Sequence, residues 1–157
     1  MFRHLGICHS EELIMDEKTA SLKKEVWNHF KDTQNIFLGT CEGNKPRVRP
    51  VTLIHFNDKF WVMTGTKNAK VKQIKENKNI EFCLIFKEGE YNGYIRGGGE
   101  ANIVQDKKTK MLVADNVSFF KEYWKSTDDP NYTLLEIVMK EIEYLKPGVF
   151  KINKFTI

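Results

Sequence analysis

Residues 46–71 read PRVRPVTLIHFNDKFWVMTGTKNAKV, and this stretch decides the fold. Its first part alternates with a period of two on both sides of a two-residue turn, which predicts antiparallel strands at Pro46–Phe56 and Lys59–Thr64. The period then lengthens to that of a helix, which we predict from Lys67 to about residue 77 with Thr66 as its N-cap. A hairpin that runs directly into a short helix is therefore the centre of the predicted fold.

The flanking sequence adds further strands and two longer helices. Strands are predicted at Ile36–Cys41, Ile80–Phe86, Tyr91–Val104 and Tyr132–Leu145, and a closing segment at Gly148–Ile152. Helices are predicted over residues 16–33 and over residues 106–125, the latter in one or two pieces around Asn116. Three consecutive glycines at 97–99 and a change of apolar phase in the last long strand predict a bulge in a curled sheet. Because hairpin-length links dominate, we predict a mainly β fold, a six- to seven-stranded antiparallel barrel with flanking helices.

Length and composition indicate one globular domain. The chain has 157 residues, of which 41% are hydrophobic and 12% aromatic, and this content excludes an intrinsically disordered protein. Residues 1–15 lack periodicity and are predicted to form a poorly ordered extension, followed by a single domain over residues 16–157. No apolar run approaches the ~20 residues that cross a bilayer, so no membrane partner is expected. Three irregularly spaced cysteines predict a reduced, cytoplasmic setting.

Positive charge is concentrated in one part of the chain. Eight basic residues and one acid lie between Lys45 and Lys75, whereas the remaining sequence is mildly acidic. A localised basic zone on an acidic body indicates an anion site. A barrel that binds nucleic acid would also need exposed aromatic side chains beside this zone, and we expect no nucleic-acid partner.

The basic residues fall where a strand and a helix start meet. Alternation places Arg47 and Arg49 on one face of their strand. The helix start offers free N–H groups, Lys70 in its first turn, and the hydroxyls of Thr64 and Thr66 nearby. An arginine fork beside an ammonium group suits a phosphate monoester, although the chain has no P-loop motif.

The runs Pro46–Thr52 and Phe60–Val71 resemble the pyridoxamine-phosphate-oxidase-like family of FMN-binding split barrels, especially its general-stress-protein and flavin-reductase-like branch. The resemblance covers about residues 21–152. It implies a split barrel, a homodimer, and FMN at each of two subunit interfaces. The predicted cofactor-binding residues, from the resemblance and the phosphate site together, are Arg47, Arg49, Pro50, Val51, Thr52, Met63, Thr64, Thr66, Lys70 and Trp124.

Trp124 is included among the predicted cofactor-binding residues because of its sequence neighbours. It ends an aromatic stretch that begins at Phe119 and precedes the loop Asp128–Pro130, which the resemblance places near the cofactor of the neighbouring subunit. Two positions depart from the family pattern. Ala69 stands where many relatives carry a serine on the phosphate, and Lys125 stands where relatives often have proline.

The resemblance implies an FMN-dependent oxidoreductase that moves hydride or electrons between NAD(P)H and a small acceptor. No catalytic residue is predicted, because a flavin reacts through its own ring. No metal site is predicted either, since His4, Cys8 and His9 lack a fourth ligand. A non-catalytic sensor or carrier for flavin or haem is the alternative, and a deazaflavin cofactor stays open. The sequence does not name the substrate.

Overall fold

A computed structural model describes the backbone of residues 6–157 and the side chains of residues 14–157. The chain divides into a unit that ends at Phe30 and a unit that spans Lys31–Ile157. In chain order the elements are α1 (Gly6–Trp27), β1 (Thr33–Glu42), β2 (Lys45–Phe56), β3 (Lys59–Gly65), α2 (Ala69–Glu76), β4 (Asn79–Glu88), β5 (Tyr91–Ile103), α3 (Lys107–Asp115), α4 (Phe120–Tyr123), β6 (Tyr132–Leu145) and β7 (Ile152–Thr156). Within the described residues, no helix is long and apolar enough to cross a membrane.

Helix α1 differs from its predicted bounds at both ends. It begins at Gly6, ten residues before the predicted start, and it ends at Trp27. Residues 7–27 contain neither glycine nor proline and are rich in good helix formers, so propensity extends the helix where periodicity is missing. Helix α1 therefore includes residues 6–15 of the predicted poorly ordered extension, and the poor order of that extension stays a prediction. Residues 1–5, which that expectation also included, lie outside the described residues.

The seven strands of the second unit form one antiparallel sheet that closes into a ring. The strand order is β3-β2-β1-β4-β5-β6-β7, and β6 also pairs with β3. Residues Tyr132 to Ile137 of β6 lie opposite β3, and residues Glu141 to Leu145 lie opposite β7. Six strands thus complete the ring, with β7 added at its side. This topology confirms the predicted antiparallel barrel with flanking helices.

The predicted bulge is present where β5 meets β6. The register shifts between Gly98 and Gly99, which leaves Lys140 without a counterpart on β5. A Cβ atom on Gly99 would lie 1.9 Å from the carbonyl oxygen of Val138, so only glycine allows this approach of the two backbones. The bulge explains the change of apolar phase in β6, because one extra residue reverses which side chains face the core.

Two short elements correct the sequence-based expectations. Helix α2 has Asn68 as its N-cap residue, without a side-chain capping bond, so the prediction of Thr66 as N-cap is wrong. Thr66 lies three residues before the helix, too far for its hydroxyl to serve the first turn. The predicted closing segment at Gly148–Ile152 is mostly irregular, and β7 begins where that segment ends.

Side chains of the sheet pack on two sides. The buried residues Ile36, Leu38 and Thr40 of β1 share one face with their β2 partners, which include Arg49. A second cluster joins strand residues to α3 and α4. It contains Ile54, Trp61, Val113, Ala114, Val117, Phe120, Trp124, Tyr132 and Leu134. The basic strand residues therefore share a face with the first core and not with the second.

Candidate anion-binding site

Arg49 is held in one orientation by four hydrogen bonds. Its Nη1 donates to Thr40 Oγ1 over 2.7 Å and to the carbonyl oxygens of Leu38 and Arg47 over 3.2 Å each. Its Nη2 donates to Gln73 Oε1 over 2.7 Å. All four acceptors are neutral. The guanidinium is thus oriented without a carboxylate that would compensate its charge.

Lys70, in the first turn of α2, forms the second cationic group of the site. Its Nζ donates to Thr64 Oγ1 over 2.8 Å, and Asn68 Nδ2 donates to the same oxygen over 3.2 Å. Burial, and then the positive charge of Arg49, lower the pKa of the Lys70 amine. Within the described part of the chain, neither Lys70 nor Arg49 forms an ion pair with an acidic residue. Two uncompensated cations therefore share one region.

Arg47 lies on the same face as Arg49 but has a different environment. Its guanidinium is exposed and forms an ion pair with Glu42, with an Nη2–Oε2 distance of 2.6 Å. Desolvation, and then the charge of Arg47, lower the pKa of the Arg49 guanidinium. The structure thus places Arg47 at the edge of the site, with its own charge balanced by Glu42.

Threonine hydroxyls line the region beside Lys70. Thr64 and Thr133 are both buried and lie opposite each other where β3 pairs with β6. The Oγ1 atoms of Thr66 and Thr133 are 2.8 Å apart and share a hydrogen bond. The structure therefore brings Arg49, Lys70 and Thr64 into one region, whereas Thr66 is joined to it only through Thr133.

The other predicted strand residues lie on both faces of the sheet, because side chains alternate along a strand. Val51 shares the face of Arg49, whereas Pro50 and Thr52 lie on the opposite face. Met63 packs against the core cluster under α3 and α4, and not on the side of its neighbour Thr64. Contacts of Pro50, Val51, Thr52 and Met63 with a flavin stay predictions.

Trp124 belongs to that same core cluster. Only 8% of its surface is exposed, and its Nε1 donates to the carbonyl oxygen of Asn131 over 3.1 Å. Its ring lies 5.0 Å from the ring of Tyr132 and 5.7 Å from that of Phe120, measured between centroids. A packing role accounts for these contacts, and the predicted position of Trp124 beside a flavin stays a prediction.

Two residues of the site, Thr40 and Gln73, are missing from the sequence-based set. Thr40 Oγ1 donates to Gln73 Oε1 over 2.6 Å, and both side chains are buried. A signal for them exists in the sequence. Thr40 continues the buried series of Ile36 and Leu38, and Gln73 follows Lys70 by three residues, on the same side of α2. A polar residue at a position where the periodicity expects an apolar one indicates a buried hydrogen bond.

Metal ligands do not cluster in the described side chains, where no group of three or more histidine, cysteine or acidic residues could hold an ion. The side chains of His4, Cys8 and His9 lie outside the described residues.

The family model described as "Pyridoxamine 5'-phosphate oxidase like" matches residues 21–153. Among solved structures, a NimC/NimA family protein from Clostridium acetobutylicum is 24% identical, with a TM-score of 0.71 over 85% of this chain and 91% of that chain. General stress protein 26 from Bacillus anthracis is 22% identical, with a TM-score of 0.67 over 87% of this chain and 98% of that chain.

A haem-binding protein from Mycobacterium smegmatis is also similar in fold. It is 13% identical, with a TM-score of 0.67 over 80% of this chain and 53% of that chain. A comparison with curated proteins gave no significant match. At these identities, the solved structures show a shared split-barrel fold.

Proposed function

Because this chain belongs to the pyridoxamine 5'-phosphate oxidase-like family, we propose that it is an FMN-binding oxidoreductase that transfers hydride or electrons between NAD(P)H and a small acceptor. The observation that carries the proposal is that Arg49 and Lys70 lie together at α2, where Arg49 bonds to Gln73, one turn after Lys70. Among the described residues, neither cation has an acidic partner. FMN differs from riboflavin by a phosphate monoester, and a phosphate dianion would complement these two charges.

The residues of the site fit the phosphate group of FMN. Arg49 and Lys70 would supply charge, and the hydroxyls of Thr64 and Thr66 would supply further hydrogen bonds. The departure at Ala69 removes one hydroxyl that relatives offer, and the neighbouring threonines can replace it. When bound, the flavin supplies the redox chemistry through its ring, whereas the chain binds and orients it and limits access of water.

A homodimer is part of this proposal. On the face of the sheet opposite Arg49, the apolar side chains of Phe37 on β1, Val48 on β2 and Ile85 on β4 are exposed, and β1 lies between the other two strands. An exposed apolar surface of this kind supports association with a second copy of the chain. We propose that flavin binds where two such subunits meet.

Titration of the apo-protein with FMN and with riboflavin tests the proposal. We expect FMN to bind more tightly by at least tenfold, because only FMN carries the phosphate. Equal affinities would contradict a phosphate site at Arg49 and Lys70. Consumption of NADH or NADPH by the FMN-loaded protein, with a set of small acceptors, then tests the oxidoreductase activity.

A carrier or sensor is the second candidate, which the similarity in fold to a haem-binding protein supports. Haem also carries anionic groups, its propionates, that Arg49 and Lys70 could bind. The absorption spectrum of the purified protein and of the compound released on denaturation separates the candidates. A Soret band from the released compound would favour haem, and a flavin spectrum would favour FMN.

A further inference from the structure

We infer that Gln73 is a positioning residue that orients Arg49 through a neutral acceptor and so keeps the site selective for a dianionic phosphate monoester. The inference rests on the proposed function, because it concerns the same cationic site. It adds Gln73 and Thr40, which neither the sequence motifs nor the predicted site contain.

Three hydrogen bonds form a closed triangle beside the site. Arg49 donates to Thr40 Oγ1 and to Gln73 Oε1, over 2.7 Å in each case. Thr40 in turn donates to Gln73 Oε1 over 2.6 Å. The Gln73 oxygen therefore accepts two bonds at once, and each member of the triangle fixes the other two. Side chains held in this way keep a guanidinium in place before a ligand arrives.

The chemical identity of the acceptor decides the charge of the site. A carboxylate is the usual partner of a buried or half-buried arginine, and its charge would compensate that of the guanidinium. An amide oxygen orients the same group and carries no net charge. The full positive charge of Arg49 therefore stays available to a ligand, together with that of Lys70. The lowered pKa of both cations, which follows from burial and from like charges nearby, agrees with this lack of compensation.

The backbone places Gln73 where this task requires it. Gln73 lies one turn after Lys70 on α2. One face of the helix therefore carries both Lys70, the proposed phosphate-binding cation, and Gln73, the residue that orients Arg49. Only 4% of Gln73 is exposed, whereas the adjacent Lys72 is exposed to solvent. The surroundings thus allow a matched comparison between an inward and an outward position of the same helix.

The test compares Gln73→Glu with Lys72→Gln, since both substitutions lower the net charge by one. The affinities of purified apo-protein for FMN, riboflavin and inorganic phosphate are measured by calorimetry. We expect Gln73→Glu to weaken FMN by about tenfold or more, while riboflavin changes less than about twofold. Lys72→Gln should change neither ligand by more than about twofold. Inorganic phosphate should compete with FMN in the wild type and not in Gln73→Glu.

A second pair of variants tests the triangle without adding charge. Thr40→Val keeps the shape of the side chain and removes the hydroxyl, whereas Thr40→Ser retains it. We expect Thr40→Val to lower the preference for FMN over riboflavin about threefold or more, and Thr40→Ser to restore it. This pair also decides the question if Gln73→Glu does not fold, because an unchanged preference in Thr40→Val would overturn the inference.

The remaining outcomes separate the inference from the proposed function. If wild-type protein prefers FMN and Gln73→Glu keeps that preference, the role of Gln73 is wrong and the phosphate site stands. If Gln73→Glu weakens FMN and riboflavin equally, Gln73 only supports the fold, and the inference is also wrong. If wild-type protein does not distinguish FMN from riboflavin, the phosphate site itself is wrong, and the inference falls with it.

Discussion

Lys70 and Thr64 are joined by a hydrogen bond of 2.8 Å that ties the start of α2 to the end of β3. The Thr64 oxygen accepts from Lys70 and also from Asn68. With its oxygen used as acceptor twice, the Thr64 hydroxyl retains its own proton as a donor. We propose that this proton is donated to a phosphate oxygen when FMN binds, which would make Thr64 a donor in the candidate anion site.

Removal of the Lys70 amine should weaken FMN selectively. We expect Lys70→Ala to cost about 1.5–3 kcal/mol of FMN binding free energy, the range for a hydrogen bond to a charged group. Riboflavin affinity should stay within about twofold, because riboflavin lacks the phosphate. Calorimetric titration measures both, with the exposed Lys72→Ala as the control. An equal loss for both ligands would place Lys70 outside the phosphate site.

FMN affinity should also depend on pH through Lys70. Burial lowers the pKa of this amine in the free protein, whereas a bound phosphate favours the protonated form and raises the pKa again. FMN binding should therefore weaken as the pH rises through the lowered pKa. Arginine stays charged, so Lys70→Arg should remove this alkaline decrease. A pH series of titrations in which both proteins weaken equally at high pH would contradict the assignment.

We expect replacement of Trp124 to lower the stability of the fold. Its ring packs among Phe120 and Tyr132, and its Nε1 holds the Asn131 carbonyl. We expect Trp124→Phe to lower the free energy of unfolding by about 1–3 kcal/mol, since it removes this bond and leaves a space. The exposed neighbour provides the control, and Tyr123→Phe should change little. An altered spectrum of bound flavin in Trp124→Phe, without loss of stability, would instead support the position beside the cofactor.

The bulge gives a matched pair of glycine substitutions. A Cβ on Gly99 would collide with the Val138 carbonyl, whereas a Cβ on Gly98 would meet the side chain of Glu141 at 2.8 Å. A flexible side chain can move and a paired backbone cannot. We therefore expect Gly99→Ala to cost about 3 kcal/mol or more, and Gly98→Ala about 1 kcal/mol. Thermal or denaturant unfolding measures the stability of both variants. Similar losses of unfolding free energy would show that the backbone of β6 can move to accommodate a Cβ on Gly99.

The proposed dimer is tested on the exposed apolar face. Sedimentation of the wild type should give about twice 18.4 kDa. Val48, which is 68% exposed, is the clearest candidate for the contact. We expect Val48→Asp to shift the protein toward the monomer and to weaken FMN, because a charge would be buried without a partner. Met111→Asp, at an exposed site on α3, should leave the mass unchanged. A wild-type monomer that still binds FMN tightly would contradict an interface site.

Much of the fold follows from local patterns. The turn between β2 and β3, the bounds of β6 and the bulge at the triple glycine all depend on residues that are close in sequence, where alternation and turn chemistry are strong signals. The start of α1 does not follow, because that helix has little periodicity, and propensity alone gives a weak signal.

The site is predictable in part for the same reason. Lys70, Thr64 and Arg49 come from one hairpin and the helix after it, so their proximity can be inferred from the chain order. Gln73 and Thr40 are harder to find. Their role depends on how α2 lies against β1, which is a tertiary contact with no short-range pattern. Trp124 has a strong sequence signal with two readings, since an aromatic residue before a loop is as typical of a buried core position as of a ligand contact.

The closure of the ring has a consequence for the order of folding. The hydroxyls of Thr66 and Thr133 meet across a separation of 67 residues, at the seam where β3 pairs with β6. Contacts this distant in sequence are slow to form, because a long loop must be closed first. We therefore expect the Thr66–Thr133 edge of the site to form later than the hairpin that carries Arg49 and leads to Lys70. A ligand that binds there stabilises only chains whose seam is closed, so FMN should slow unfolding more than it accelerates folding.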